Sequence, residues 1–461
     1  MLGFPALLFA QIPASKMQIT SIEVEGNKKT KTQVILRELN FAVGDSLAID
    51  EKTSNFELNR LNLMNTNLFR SVTISMSDSS TQQAKILIKV VEPLYIWTGW
   101  FVELADRNFN VWWKEENFNL RRINVALTPL WRNITGRRDY LKGIVQLGYT
   151  QKGELEYALP EFDKKHQFGL QANIYFTRAR EVAYATEKNK LKFHFDEDRF
   201  QLRKLRLFGG FSYRPRLQST HRFRVQYDRT NIDGFVSDSL NPNFLGNGIA
   251  KQTFVTLEYH YVFDRRDIRP YPEKGTFASF TLKKEGLSSK SDLNTLYATA
   301  TYAKYIRYKK WSLENILKVR KELLGQSVPY YNTRGLGYQE DYIRGYEYYV
   351  IDGVDFGYLK TTLRYKLFER KLNFRKYVPI ERFKNRLPLL PMRSYFTIHS
   401  DLGYVRNLNA APTNNLLNKT LWGNGVGFVT VFNYDDVIEI DLSHNQLGQW
   451  ATFLHFKTPL R

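Results

Sequence analysis

Arg344 is the side chain whose chemistry most needs a partner. It stands among aromatics in Tyr342-Ile343-Arg344-Gly345-Tyr346-Glu347-Tyr348-Tyr349, in a long loop-like stretch between two strand patterns. Downstream, Phe396-Thr397-Ile398-His399-Ser400-Asp401-Leu402-Gly403 alternates, with Phe396, Ile398 and Leu402 on one face and Thr397, His399 and Asp401 on the other. If the sheet holding this strand closes into a barrel with an apolar exterior, Asp401 points into the lumen. An arginine on a loop folded into that lumen reaches it. Glu439 and Asp441, on the lumen face of the 437–443 strand pattern, are alternative partners. Partly desolvated and two-pronged, such a contact depends on geometry more than on charge.

Two kinds of element must position these residues. From residue 94 onward the dominant period is two, the mark of half-buried strands. Phe168, Leu170, Ala172, Ile174 and Phe176 share a face opposite Gln171, Asn173 and Tyr175. Val255, Leu257, Tyr259, Tyr261 and Phe263 alternate with Thr256, Glu258, His260 and Val262, and Leu359, Leu363, Tyr365 and Leu367 oppose Lys360, Thr362, Arg364 and Lys366. A soluble sandwich alternates too. The aromatics Trp97, Trp100, Trp112, Trp113 and Trp131, read as strand ends, suggest interfacial girdles instead. At roughly 20 to 25 residues per strand and connection, the region holds about 16 antiparallel strands, an even number as bacterial barrels require.

Residues 17–93 read differently, as one small α/β unit. An alternating strand over 19–27 ends in a Gly-Asn turn, and Thr30 stands as N-cap of a helix over 32–39. Asp50 opens a second helix, with Phe56, Leu58, Leu61 and Leu63 supplying its apolar contacts. Strands over 72–76 and 85–91 follow, around a polar hairpin at 78–81. The expected order is β-α-α-β-β. The junction at Glu92-Pro93 is short.

Composition bounds the function. Aromatics make up 15% of 461 residues, with 28 Tyr and 32 Phe, yet the mean hydropathy is -0.43. Those facts conflict for a helical membrane protein and agree for a barrel, in which every second residue faces lipid. No run of 18 or more uncharged apolar residues occurs, so a spanning helix is excluded. The absence of cysteine removes zinc-thiolate sites, disulfides and cysteine nucleophiles together. A net charge of +21 would suit nucleic acid, but the cations are interleaved with aromatics and acids from end to end. A basic lumen, or basic loops on anionic lipid headgroups, fits that spread, and no nucleic-acid partner is expected. Residues 1–16 read as a leader or partial signal peptide that lacks the positively charged start of a good one.

On these residues the chain resembles the BamA/TamA superfamily of outer-membrane insertases and translocases. Members carry a (Val/Ile)-Arg-Gly-(Tyr/Phe) loop tip, here Ile343 to Tyr346, and an Asp-x-Gly strand motif, here Asp401 to Gly403. Asp264-Arg265-Arg266-Asp267 followed by Pro272-Glu273-Lys274-Gly275 looks like the turn that precedes a barrel strand in these proteins, although alone it would be a charged hairpin tip. Val24-Glu25-Gly26-Asn27 and Leu63 to Val72 resemble a POTRA domain, the periplasmic module before such barrels. Leu68 and Phe69 there plug a core and do no chemistry. The 451–457 segment, with Phe453 and Phe456, is similar to a closing strand, but Lys457 to Arg461 continue past it.

The resemblance implies a leader (1–16), a POTRA-like periplasmic domain (17–93) and a transmembrane β-barrel (94–461) in the bacterial outer membrane. It implies polypeptide insertion or translocation without nucleotide hydrolysis, through a seam joining a strand near 95–101 to one near 452–456. Its partners would be unfolded outer-membrane or secreted polypeptides and outer-membrane lipid, with a periplasmic chaperone or accessory lipoproteins beside them. A passive porin, or secretion of one dedicated partner, are the alternatives. The seven histidines show no metal spacing, and neither a Gly-x-Ser-x-Gly elbow nor a phosphate loop is present. No enzyme activity and no cofactor are expected.

Overall fold

The computed structural model describes residues 16–48, 52–79, 83–288, 290–324, 327–373, 390–407, 412–432 and 436–457. The leader reading of 1–16 therefore lies almost wholly outside them, as do Asp50, half of the 78–81 hairpin and the tail after Lys457. Contacts divide the chain into two units, residues up to Tyr95 with Arg132–Arg138, and Ile96–Trp131 with Asp139–Arg461.

The first unit runs β1 (Lys16–Glu25), α1 (Thr32–Arg37), β2 (Ser46–Ala48), α2 (Lys52–Met64), β3 (Ser71–Ser79) and β4 (Gln83–Val91). The sheet order is β2-β1-β4-β3, with β1 and β4 parallel in the centre. Ala84, Ile86, Ile88 and Val90 alternate inward from β4 onto Val34 and Ile35 of α1 and onto Leu63, Leu68 and Phe69. Three expectations change. The three residues of β2, too short to show a period, pair with β1 and make the order β-α-β-α-β-β. Leu58 is exposed, because Phe56 and Leu63 define the inner face of α2 and Asn59 falls on it. Asn59 is buried there with its amide on Asn55 and its Oδ1 accepting from the Asn40 N–H at 2.7 Å. Finally, α1 is capped at Lys31, with no side-chain cap.

Thr30 has another use. Its N–H (2.8 Å) and hydroxyl (2.6 Å) both donate to Glu92 Oε1, while the Lys29 N–H donates to Oε2 at 3.1 Å. Burial acts to raise the Glu92 pKa, but these hydrogen bonds outweigh it and leave the carboxyl below its ordinary value. A depressed carboxyl stabilises the folded form above its unfolded pKa, and that contribution is lost as pH falls through the folded value. We therefore expect the thermal midpoint of this unit to drop on acidification below the ordinary glutamate range. Glu92→Gln should lie lower at neutral pH and respond less to acid; equal pH slopes for the two proteins would contradict the assignment.

The second unit begins with β5 (Ile96–Leu104), α3 (Phe109–Lys114), β6 (Ile123–Arg132), β7 (Tyr140–Gly148), β8 (Thr150–Leu159) and β9 (Phe168–Ala179). A separate hairpin, β10 (Glu181–Glu187) and β11 (Lys190–Phe195), follows. The sheet resumes with β12 (Leu202–Arg216), β13 (Ser219–Ile232), β14 (Lys251–Asp264), β15 (Gly275–Glu285), β16 (Thr295–Tyr308) and β17 (Trp311–Glu322). It ends with β18 (Asp355–Leu372), β19 (Leu390–Arg406), β20 (Thr420–Phe432), β21 (Asp436–Asn445) and β22 (Trp450–Lys457). Apart from β10 and β11 these form one sixteen-stranded antiparallel sheet in chain order, with β5 and β22 at its two ends.

Burial in this sheet is inverted. On β19, Phe396 (42%), Ile398 (47%) and Leu402 (45%) are exposed while Thr397 (1%), His399 (2%) and Asp401 (0%) are buried, and β21 repeats the pattern with Ile440 out and Asp441 in. Scattered exposed apolar residues are normal, but whole faces of them are not, and a soluble sandwich buries the opposite set. A lipid-facing barrel requires this arrangement. No described helix is long and apolar enough to cross a membrane. Three aromatic assignments change: Trp100 lies at the middle of β5, and Trp112 and Trp113 lie on α3 and not at strand ends, with Trp112 buried and its indole N–H donating to Asn119 O at 3.0 Å.

Candidate functional site

The segment between β17 and β18 folds back among the polar side chains of the inner face. Leu336, Ile343, Tyr346, Val350 and Ile351 are all buried, and Leu336 and Ile351 exchange backbone hydrogen bonds that close the loop on itself. At its tip, Arg344 is buried against Asp401. Nε donates to Oδ2 at 2.9 Å, Nη2 to Oδ1 at 2.5 Å, and the Arg344 N–H to Oδ2 at 3.1 Å. Nη2 also reaches Thr362 Oγ1 at 3.0 Å on β18. This is the two-pronged geometry that a planar guanidinium forms and an ammonium cannot.

Register explains the seat. Asp401 of β19 pairs with Gly423 of β20, which pairs with Asn445 of β21. The loop tip lies along that one rung. Arg344 binds Asp401, its carbonyl passes over Gly423 where a Cβ would overlap it, and Gly345 O accepts from Asn445 Nδ2 at 2.7 Å. Gly345 has φ +92°, a left-handed conformation that side chains disfavour, and its N–H donates to Glu347 Oε2 at 2.8 Å. Ile343 packs directly over Gly403. Tyr346 is buried, its hydroxyl accepting from the Gln446 N–H at 3.3 Å.

Sequence reasoning passed over Gly423, Gly425 and Gly427. Their spacing of two on one strand was the available signal, since it strips one face of a strand of side chains. His399 pairs with Gly425, and Gly425 with Ser443, so His399 Nε2 crosses the bare position to Ser443 Oγ at 3.0 Å. His399 Nδ1 stands 3.9 Å from Asp441 Oδ1. The three residue types match a hydrolase triad, but Ser443 has 0% exposure, and an attacking hydroxyl must be reached by its substrate. The trio packs the wall on which the loop rests. Of the alternative partners, Glu439 lies 4.0 Å from Lys457, and Asp441 is 3.9 Å from both His399 and His455. The arginine goes to Asp401.

The turn residues also come inward. Arg266 forks onto Asp264 with Nε and Nη2 both at 2.8 Å, Asp267 Oδ1 accepts from the Ile268 and Glu273 N–H groups, and Pro272 O accepts from Arg364 at 2.7 Å. Gly275 then opens β15. Between this turn and the loop tip lies a cavity of about 230 Å³ lined by six cations (Arg266, Arg269, Arg344, Lys360, Arg364, Lys457) and three acids (Glu314, Glu340, Glu439). Part of the basic excess thus faces the interior. On the last strand the aromatics do not share a face. Phe453 is fully buried against Tyr348 while Phe456 is exposed, because positions three apart in a strand point oppositely.

The profile of the POTRA family, described as a surface antigen variable number repeat, matches residues 17–93, and the Omp85 superfamily domain matches residues 133–362. The chain belongs to the Omp85 superfamily. The match contains the turn motif and Arg344 and stops before Asp401. A structure of BamA from Haemophilus ducreyi lacking POTRA domains 1–3 is similar at 13% identity, with TM-score 0.52 over 96% of this chain and 83% of that one. CdiB from Escherichia coli is similar at 11% identity and TM-score 0.55, over 96% and 75%. CdiB from Acinetobacter baumannii gives 12% and 0.51, over 96% and 74%. At these identities the likeness is one of fold. No curated protein sequence matches. The POTRA match over residues 17–93 thus precedes, among the described residues, a sixteen-stranded sheet.

Proposed function

We propose that this Omp85 protein inserts polypeptides into the bacterial outer membrane or passes them across it, without nucleotide hydrolysis and without enzyme activity. Residues 17–93 serve as the periplasmic receiving module and 94–461 as the barrel, with Arg344, Gly345, Tyr346, Asp401 and Gly403 as the lock that holds the inner loop. The clients are unfolded outer-membrane or secreted chains, and lipid surrounds the apolar exterior. One observation favours this reading over a passive porin: the loop tip is buried on three strands inside the barrel, where a pore would need water. The exposed edge of the small sheet gives an incoming chain a place to pair.

Deleting residues 17–93 tests it. The truncated protein should still migrate faster unboiled than boiled on gels, which reports a folded barrel, and cells relying on it should lose assembly or secretion of client proteins. Full complementation by the truncated chain would favour the porin. Photocrosslinking from β22 in cells, followed by identification of the captured chains, separates many clients from one.

A further inference from the structure

β22 ends the sheet, and β21 occupies its other side. Its backbone at Leu454 is held by a side chain. Asn110, buried in the α3 turn that follows β5, donates from Nδ2 to Leu454 O at 3.3 Å and accepts the Leu454 N–H on Oδ1 at 2.9 Å. A carboxamide carries the same donor and acceptor as a peptide group, so Asn110 offers Leu454 what an antiparallel neighbour would offer. Successive residues of a strand turn their backbone groups to opposite sides, so Thr452 and Phe456 face the seam with Leu454.

The segment bearing Asn110 is pinned to the inner loop. Arg107 Nη1 donates to Gly337 O and Tyr349 O, both at 3.0 Å, and Asn108 Nδ2 donates to Glu347 O at 2.9 Å. Asn108 Oδ1 also caps α3 by accepting the Val111 N–H at 2.8 Å. On the other side the Phe109 ring meets Phe456 edge-on, with centroids 6.1 Å apart. Four consecutive residues thus join the loop that carries Arg344 to the edge of the last strand.

We propose that Asn110 is a latch on the edge of β22, and that an extended client polypeptide takes this edge by displacing the Asn110 carboxamide. The client half rests on the function proposed above; the latch itself does not. An exposed strand edge is a template for any chain able to pair, and a single residue that satisfies its central peptide group blocks such pairing while remaining easy to displace.

Two measurements on the full chain in lipid nanodiscs separate the halves. In the first, Asn110→Ala should speed amide exchange at Leu454 tenfold or more, with amides facing β21 unchanged. Asn110→Asp, which keeps the acceptor, should leave most of the Leu454 protection. Unchanged exchange in an alanine variant that still migrates as a folded barrel would overturn the latch, and Asn110→Leu, close in size but without donor or acceptor, supplies that reading if the alanine variant does not fold. In the second, Thr452→Cys provides the only thiol in the chain. A synthetic peptide copying residues 450–457 and carrying one cysteine activated as its 2-pyridyl disulfide should exchange onto it, releasing pyridine-2-thione, several-fold faster in the Asn110→Ala background. Faster exchange without faster capture would overturn the client half and count against the proposed function, leaving the latch in place.

Discussion

Replacing Arg344 by alanine is expected to lower the temperature at which the unboiled, fast-migrating form is lost more than any other single truncation at the loop tip. Asp401 has no exposure, and alanine would leave its carboxylate with one backbone N–H from the loop in place of three donors. Stranding one member of a buried pair costs about 3–5 kcal/mol. Arg344→Lys should recover only part, since an ammonium is a point charge and cannot match both carboxylate oxygens in the plane. Asp401→Ala should be comparably harmful, because it strands the guanidinium. The double variant should then be less damaged than the sum of the singles, by up to about 3 kcal/mol for residues in direct contact. Strict additivity would mean that the contact contributes nothing, and function should fall with stability in each single variant if the loop lock serves client handling.

Gly423→Ala should be harmful for a different reason. Alanine in a strand normally loses less conformational entropy than glycine and packs at least as well, so the default expectation is a slight gain. Here the new Cβ falls on the backbone carbonyl of Arg344, and a backbone atom cannot rotate away as a side chain can. The tip is clamped by Asp401 on one side and Asn445 on the other, so relief must come from lifting the loop or bending β20. Overpacking of this kind costs about 1–3 kcal/mol. Gly153→Ala is the control, since its Cβ would meet nothing within 4 Å, and it should change stability by less than about 0.5 kcal/mol. Thermal loss of the fast-migrating form, together with protease cleavage within the loop, reads both. Equal behaviour of the two variants would show that the loop does not rest on β20.

Along each strand, the period of two was enough to tell which side chains meet lipid and which meet the interior. Phe396 and Asp401 fall on the faces that alternation assigned them. Loop placement and the carboxylate on the inner face likewise brought Arg344 and Asp401 into consideration together, because a buried guanidinium has few stable alternatives. Period says nothing, however, about what lies beside a residue on the next strand. The rung Asp401-Gly423-Asn445, the bridge from His399 across Gly425 to Ser443, and the opposite facing of Phe453 and Phe456 all follow from register or from counting positions within it. In the small unit the same limit appears as Thr30, which looked like a helix cap and bonds Glu92 instead, a residue 62 positions away. Local propensity proposes a partner nearby, and packing supplies a better one from afar. The hold of Asn110 on Leu454 spans 344 positions. The amino-acid sequence by itself therefore determined the period-two strands, their facing and the residue chemistry, but neither the three-residue β2 nor α3. Only the tertiary structure decided the register between neighbouring strands and what meets the edge of β22, because both depend on residues far apart in the chain and are written in no single strand.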